Sequence, residues 1–179
     1  MTATETKSAP LKLRDDLKTE LWRTYESCPV VAASGFDDNL LVLAETGGVL
    51  ARSLGTPSNV WHRLLTIAAF AMQWSRCATG AQNWCSRASF VNALEFVRIE
   101  RLRQRRLFAE GRITFDCASP VVDPRRKLRV LIEEIGEVAQ EIDRVEQHPN
   151  SVSHRHDLAV ELIQVAAVCV AWLESLEAA

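Results

Sequence analysis

The stretch Val160-Glu161-Leu162-Ile163-Gln164-Val165-Ala166-Ala167-Val168-Cys169-Val170-Ala171-Trp172-Leu173 decides the fold. It is apolar on every side of a helix apart from Glu161 and Gln164, which is the pattern of a helix buried at the centre of a protein. Burying an ionised carboxylate costs several kcal/mol unless a cation or a hydrogen-bond network compensates for the lost water. Because Glu161 and Gln164 are three residues apart, they share a helical face, and we expect them to mark a site inside a helical bundle.

The rest of the chain predicts an all-α fold. Strand signals are almost absent, and the few glycines and prolines lie where helices end. Asp123 has the chemistry of an N-cap, and Pro124 suits the first position of a helix. We predict six helices, over residues 12–26, 38–54, 59–74, 89–110, 124–145 and 153–176, with 112–122 as a loop or mobile arm.

The apolar pattern of these helices indicates a bundle. The fifth predicted helix carries a stripe typical of a bundle seam, formed by Leu128, Leu131, Ile135, Val138, Ile142 and Val145. The third and sixth helices are apolar nearly all round, so we expect them at the centre of the bundle. Trp74 and Trp172 are therefore interpreted as core residues.

The two halves of the chain resemble each other. Residues 43–50 align with 132–139, and residues 67–74 align with 165–172 in the same order. Most acids of the second half are replaced in the first: Ala44 aligns with Glu133, Gly48 with Glu137, Arg63 with Glu161 and Thr66 with Gln164, while Glu45 remains opposite Glu134. We predict a degenerate scaffold repeat over 1–80 and an acidic repeat over 81–179, together one compact domain. The alternative is that any two amphipathic helix pairs look alike.

Composition narrows the function classes. The net charge of −2 over 179 residues gives no indication of binding to nucleic acid or to an anionic membrane. Five scattered cysteines without a CxxC pair favour a reduced, cytoplasmic protein. The polar first ten residues lack the apolar core of a signal peptide, and the apolar runs are interpreted as too short to span a bilayer.

Two of the predicted helices carry acids in a spacing that suits a metal site. On the fifth helix, Glu133 and Glu134 are four and three residues from Glu137, so each pair shares a face. Magnesium prefers oxygen ligands, with one or two carboxylates from the protein and water or phosphate for the rest. Together with Glu161 and Gln164 on the sixth helix, these acids predict a site for Mg²⁺. A solvated acidic face is the alternative.

The same residues carry a resemblance to a known family. Glu-Glu-x-x-Glu, a loop and then Glu-x-x-Asp is the signature of the all-α nucleoside triphosphate pyrophosphohydrolases, the MazG-like proteins. Here the pattern reads Glu133-Glu134-Ile135-Gly136-Glu137 and then Glu161-Leu162-Ile163-Gln164, and the preceding segment Glu100-Arg101-Leu102-Arg103-Gln104 is similar to a stretch found before the motif in some members. The resemblance covers residues 98–176, with a degraded copy in the first half.

The resemblance implies the bundle of this family, formed by two repeats within one chain, and a hydrolase that uses Mg²⁺ or Mn²⁺. Such an enzyme cuts a nucleoside triphosphate between its α- and β-phosphates. By this resemblance Glu134, Glu137 and Glu161 match metal ligands, and Glu133 matches the residue that orients or deprotonates the attacking water. Gln164 stands where the family has Asp, so its amide oxygen would bind the metal without charge, and Asp157 one turn earlier is expected to compensate.

Basic residues of the fourth helix are candidates for the substrate phosphates. Arginine pairs with phosphate oxygens in bidentate fashion, so the run Arg98, Arg101, Arg103, Arg105 and Arg106 predicts a phosphate clamp. The alternative is a solvated basic face or intrachain pairing with the acidic helix. Arg101, Gln104, Arg105 and Lys127 are the predicted phosphate contacts. His154 and His156 are interpreted as exposed loop histidines without a metal site.

These observations leave more than one function class open. The leading prediction is a nucleotide pyrophosphohydrolase acting in the nucleotide pool, with a nucleoside triphosphate as its substrate and a homodimer as its expected assembly. The alternative is a weakened or inactive MazG-like protein that serves as a nucleotide sensor or interaction module. A purely structural bundle with solvated acids is the third interpretation. The base and the sugar of the substrate are not specified by the sequence.

Overall fold

The computed structural model describes residues 13–28 and 35–178, which form six α-helices and no strand. The helices are α1 (Asp15–Ser27), α2 (Phe36–Arg52), α3 (Pro57–Ala78), α4 (Arg87–Ala109), α5 (Pro124–Gln147) and α6 (Val152–Glu177). The prediction of an all-α helical bundle is confirmed. The polar first ten residues, and residue 12 of the first predicted helix, lie outside the described residues.

Local chemistry sets most of the helix ends. The side chains of Ser86, Asp123 and Ser151 cap α4, α5 and α6 by accepting a hydrogen bond from a backbone N–H of the first turn. Gly111 follows α4 with a φ of +70°, a left-handed conformation that glycine adopts without steric cost. α3 begins earlier than predicted, at Pro57, because proline suits a position whose N–H has no partner within the helix.

The two apolar helices lie at the centre, as predicted. α3 and α6 share the most extensive helix–helix interface, with α1 and α2 packed on α3, and α4 and α5 packed on α6. Trp74 and Trp172 are each 1% exposed. The predicted seam of α5 is also buried, except that Leu128 is half-buried at its edge. A single hydrophobic core therefore runs through all six helices.

Burial in α2 and α5 gives a register one residue away from the predicted repeat alignment. α2 buries Asn39, Leu43, Gly47 and Leu50, and α5 buries Lys127, Leu131, Ile135 and Val138 with the same spacing of four, four and three residues. This register pairs Gly47 with Ile135, and a Cβ on Gly47 would lie 3.4 Å from Ile135 Cδ1, so α2 and α5 meet at these positions. The two-repeat organisation and its boundary at residue 80 remain predictions.

α6 extends one residue beyond its predicted bounds at each end, from Val152 to Glu177. By length and composition alone it is a candidate to cross a membrane, contrary to the interpretation that the apolar runs are too short. Most of its apolar residues are buried against α3, α4 and α5. Packing at the centre of the bundle therefore accounts for its composition.

The connector between α4 and α5 folds against the bundle. Asp116 of the connector forms an ion pair with Arg101 on α4, with 3.1 Å between Oδ1 and Nη2. The guanidinium of Arg126 lies over the Phe115 ring, 4.5 Å from the ring centroid. Cys117 is buried. These contacts hold the connector as one wall of a cleft whose other walls are α4 and α5.

Candidate metal centre

Three acids from two helices meet beside this cleft. Glu134 and Glu137 on α5 and Glu161 on α6 each place a carboxylate oxygen within 4.8 Å of the other two. The spacing of three residues puts the first two on one face of α5, and the packing of α5 against α6 brings Glu161 to that face. All three side chains are half-buried. We call this group the acidic triad.

Burial and the charges of neighbouring carboxylates raise the pKa values of two members of the triad, Glu134 and Glu161. Loss of water around the carboxylate, and then the charges of Glu137 and Glu161, raise the pKa of Glu134 to about 8. Burial and the neighbouring Glu137 raise the pKa of Glu161 to about 7. Three carboxylates this close are therefore poorly compensated within the protein when they are ionised.

The triad has the donor chemistry that a hard divalent cation requires. Its ligand atoms are all carboxylate oxygens, which suit Mg²⁺ and Mn²⁺. Glu134 Oε2 is buried and accepts no hydrogen bond from the described residues. This oxygen is therefore available as a ligand for a cation. Residues Glu134, Glu137 and Glu161 thus fit the metal that the sequence pattern implied.

Gln164 lies beside the triad in a supporting position. Its amide nitrogen donates to Glu161 Oε2, and its amide oxygen accepts from Arg103 Nη2 at 3.2 Å. Because the amide oxygen is directed to Arg103, Gln164 orients Glu161 instead of offering a fourth oxygen to the triad. In this arrangement Gln164 is not positioned as the metal ligand that the sequence predicted.

Glu133 lies at the rim of the same cleft. It is exposed on α5 and lines the cleft together with Glu134 and Glu137. The cleft has a volume of about 420 Å³, which is within the range of small-molecule sites. A carboxylate in contact with solvent beside three half-buried ones is suitably located to take a proton from a bound water.

Of the five arginines in the predicted phosphate clamp, Arg103 lines the cleft, and Arg112 of the connector lines it as well. Arg103 is also paired with Glu100 at 2.6 Å, and its pKa is raised chiefly by the hydrogen bond to Glu100. Of the four predicted phosphate contacts only Gln104 lines this cleft, where Arg101 and Glu100 fix its amide at 2.7 and 3.0 Å.

The other three predicted phosphate contacts have partners within the protein. Arg101 is fully buried and forms ion pairs with Asp116 and Glu174, and Arg105 pairs with Glu174 at 3.5 Å. Lys127 is 2% exposed and donates to Ser175 Oγ at 2.6 Å, and burial lowers its pKa. These positions do not support the predicted phosphate role, because Arg101 and Lys127 are buried in the bundle, while the exposed Arg105 is paired with Glu174 and does not line the cleft.

Sequence reasoning did not include Glu100 among the site residues. Its charge contributes to the raised pKa values of Glu134 and Glu161, and it holds both Arg103 and Gln104. The signal was present in the segment Glu100–Gln104 that carried part of the family resemblance. Asp157, expected to compensate for Gln164, instead groups with Glu141 and His154 further along the same interface.

Comparison of the chain with models of protein families, with curated proteins and with solved structures finds no match.

Proposed function

We propose that this protein is a divalent-cation-dependent hydrolase that cleaves a nucleoside triphosphate into a nucleoside monophosphate and pyrophosphate. The observation that carries the proposal is the acidic triad: three half-buried carboxylates within 4.8 Å, one with an unpaired oxygen, at the side of an open cleft. The alternative is a solvated acidic face. On such a face the carboxylates would be exposed, and the pKa values of Glu134 and Glu161 would not be raised to about 8 and about 7.

Each residue has a distinct part in this proposal. Glu134, Glu137 and Glu161 hold the metal, which when bound neutralises phosphate oxygens and acidifies water. Gln164 and Arg103 hold Glu161 in position, and Arg103 and Arg112 face the phosphates from the cleft. Glu133 accepts a proton from the attacking water. One water is consumed, and the bond between the bridging oxygen and one phosphorus breaks to give the monophosphate and pyrophosphate.

An apolar groove bordering the same group of side chains is suited to a nucleobase. Phe96, Ile99 and Val160 line it, each about half exposed, together with Glu100 and Gln164. Aromatic and aliphatic side chains next to polar orienting groups are typical of small-ligand sites. We infer that Phe96 contacts the base while the phosphates extend toward Arg103.

One observation favours a second candidate function. Gln164 stands where the family pattern has an acid, and its amide oxygen is bonded to Arg103. With one charge fewer, the site would bind metal and nucleotide more weakly, and a nucleotide sensor without hydrolysis is the corresponding proposal.

The deciding experiment measures pyrophosphate release from a panel of canonical and modified NTPs and dNTPs with Mg²⁺ or Mn²⁺. The wild type is compared with Glu133→Gln, which removes the proton acceptor, and with Glu45→Gln on the exposed face of α2 as the matched control. Release by the wild type and the control but not by Glu133→Gln supports the hydrolase. Nucleotide binding without release from any substrate favours the sensor, and the absence of both rejects the proposal.

A further inference from the structure

A second group of metal-ligating side chains lies further along the interface of α5 and α6. Glu141 on α5 and His154 and Asp157 on α6 each place one ligand atom within 4.8 Å of the other two. Glu141 is four residues beyond Glu137, so it lies one helical turn from the acidic triad. His154 belongs to the first turn of α6 and is half-buried, which corrects its interpretation as an exposed loop residue.

Glu141 is the buried member of this group, and one of its oxygens has no hydrogen-bond partner among the residues that the structure describes. Glu141 is 6% exposed, and its Oε1 accepts a hydrogen bond from Arg144 Nη1. Oε2 is buried and receives no hydrogen bond from the described part of the chain. The same holds for His154 Nδ1, which lies 4.0 Å from Asp157 Oδ2. One carboxylate oxygen and one imidazole nitrogen are therefore buried beside the carboxylate of Asp157, and a cation bound among the three would give both buried atoms a partner.

We propose that Glu141, His154 and Asp157 bind a transition-metal ion of the Zn²⁺ class. An imidazole nitrogen together with carboxylate oxygens is a donor set that such ions accept, whereas the all-oxygen triad suits Mg²⁺. The two neighbouring sites therefore select different metals by their ligands. This proposal does not depend on the hydrolase activity.

The geometry requires a small adjustment on binding. Zn²⁺ bonds of about 2.0–2.2 Å in a tetrahedral arrangement separate ligand atoms by roughly 3.4 Å, which is shorter than the 4.8 Å limit of the group. The Asp157 side chain is 50% exposed and free to rotate toward the ion. The His148 ring stacks on His154 with centroids 5.2 Å apart and restrains the imidazole. Water completes the coordination.

The bound ion would join the last turns of α5 to the first turn of α6. These helix segments are connected by the short loop around Pro149 and Asn150. A metal with ligands on both sides of that loop restrains the helix pair that carries the acidic triad. Its expected consequence is a higher unfolding temperature in Zn²⁺, without any requirement for nucleotide.

The test is a Zn²⁺ titration of the full-length, metal-free protein in competition with a chromophoric chelator. We expect one equivalent bound by the wild type, and binding at least about tenfold weaker in His154→Ala and in Asp157→Asn. His156→Ala removes an exposed histidine two residues away and is the matched control. Glu134→Gln, which disables the triad, must also retain the Zn²⁺ equivalent.

Three results would overturn the proposal: no Zn²⁺ equivalent in the wild type, equal affinity in His154→Ala, or loss of the equivalent in His156→Ala. If Glu134→Gln alone removed it, the ion would belong to the triad, which also rejects the second site. Circular dichroism of each metal-free variant establishes that it is folded, and Asp157→Asn alters a half-exposed side chain, so it decides the outcome if His154→Ala fails to fold.

Discussion

Glu134 and Glu161 stand on different helices and place carboxylate oxygens within 4.8 Å of each other. Burial, and then the charge of Glu137, raise the pKa of Glu134 to about 8 and the pKa of Glu161 to about 7, well above the ordinary range of a glutamate. The protein thus keeps two adjacent carboxyl groups that prefer protons near neutral pH when no metal is bound. This relationship connects the stability of the fold to pH and to divalent cations.

The metal-free protein is expected to lose stability as pH rises from about 5 to about 8. In that window the folded state retains protons on Glu134 and Glu161, while the unfolded chain has released them, because the folded pKa values are raised. Stability falls with pH wherever the folded state binds more protons. Urea unfolding at several pH values in chelator measures the slope, expected to be of the order of 1 kcal/mol per pH unit.

Glu134→Gln should flatten this dependence, because the amide does not titrate and it also removes a charge beside Glu161. The Glu45→Gln variant, altered on the exposed face of α2, should keep the wild-type slope. An unchanged slope in Glu134→Gln would show that the triad is not the source of the pH dependence.

Mg²⁺ should stabilise the folded protein through the triad. A ligand at about a hundred times its Kd contributes about 2.7 kcal/mol, which in a chain of this length corresponds to a rise of roughly 5–10 °C in Tm. Glu161→Gln is expected to abolish the rise, and Glu45→Gln to preserve it. Differential scanning fluorimetry across a Mg²⁺ series measures both, and an equal rise in Glu161→Gln would contradict the site.

Arg101→Ala is expected to destabilise the fold by about 3–5 kcal/mol, because it removes a fully buried cation and its ion pairs with Asp116 and Glu174, leaving Glu174 with Arg105. Arg98→Ala on the same helix breaks a solvent-exposed pair with Glu95 and should have a much smaller effect on the free energy of unfolding, because water screens the pair. Denaturant unfolding of both variants makes the comparison. Similar losses would mean that Arg101 does not hold the connector against the bundle.

Gln164→Asp adds a carboxylate beside the triad and should tighten Mg²⁺ binding severalfold, since metal affinity rises with the charge of the ligand set. The variant also loses the amide donor to Glu161, so its metal-free form should be less stable at pH 8 than the wild type. Calorimetric titration with Mg²⁺ measures the affinity. Weaker binding would indicate that the support of Glu161 by Gln164 matters more than an added charge.

Gly136→Ala should stabilise the protein by about 0.5–1 kcal/mol, because alanine is favoured over glycine within a helix and the position has open space around it. Gly136 is part of the acidic motif but is exposed, so the Mg²⁺-induced rise in Tm should persist. Thermal unfolding with and without Mg²⁺ measures both effects. Loss of the metal response would show that the site requires the absence of a side chain here.

The helices and the acids of the triad could be predicted from the sequence because their signals are local. The apolar run from Val160 to Leu173 indicates a central helix wherever it packs, and the spacing of Glu134 and Glu137 fixes their shared face. The repeat alignment matches Gly47 to Gly136, whereas the pattern of burial matches Gly47 to Ile135, because burial depends on which residues α2 and α5 turn toward each other.

What the sequence by itself determined is the all-α class, the central position of α3 and α6, and the carboxylates that lie together. The tertiary structure decided which of several similar residues reach a site. Successive residues of a helix are turned by about 100°, so Arg101 is directed into the bundle while Arg103 lines the cleft. By the same rotation His154, and not His156, meets Glu141. Such choices depend on how neighbouring helices are oriented, and this orientation is set by packing over the whole core.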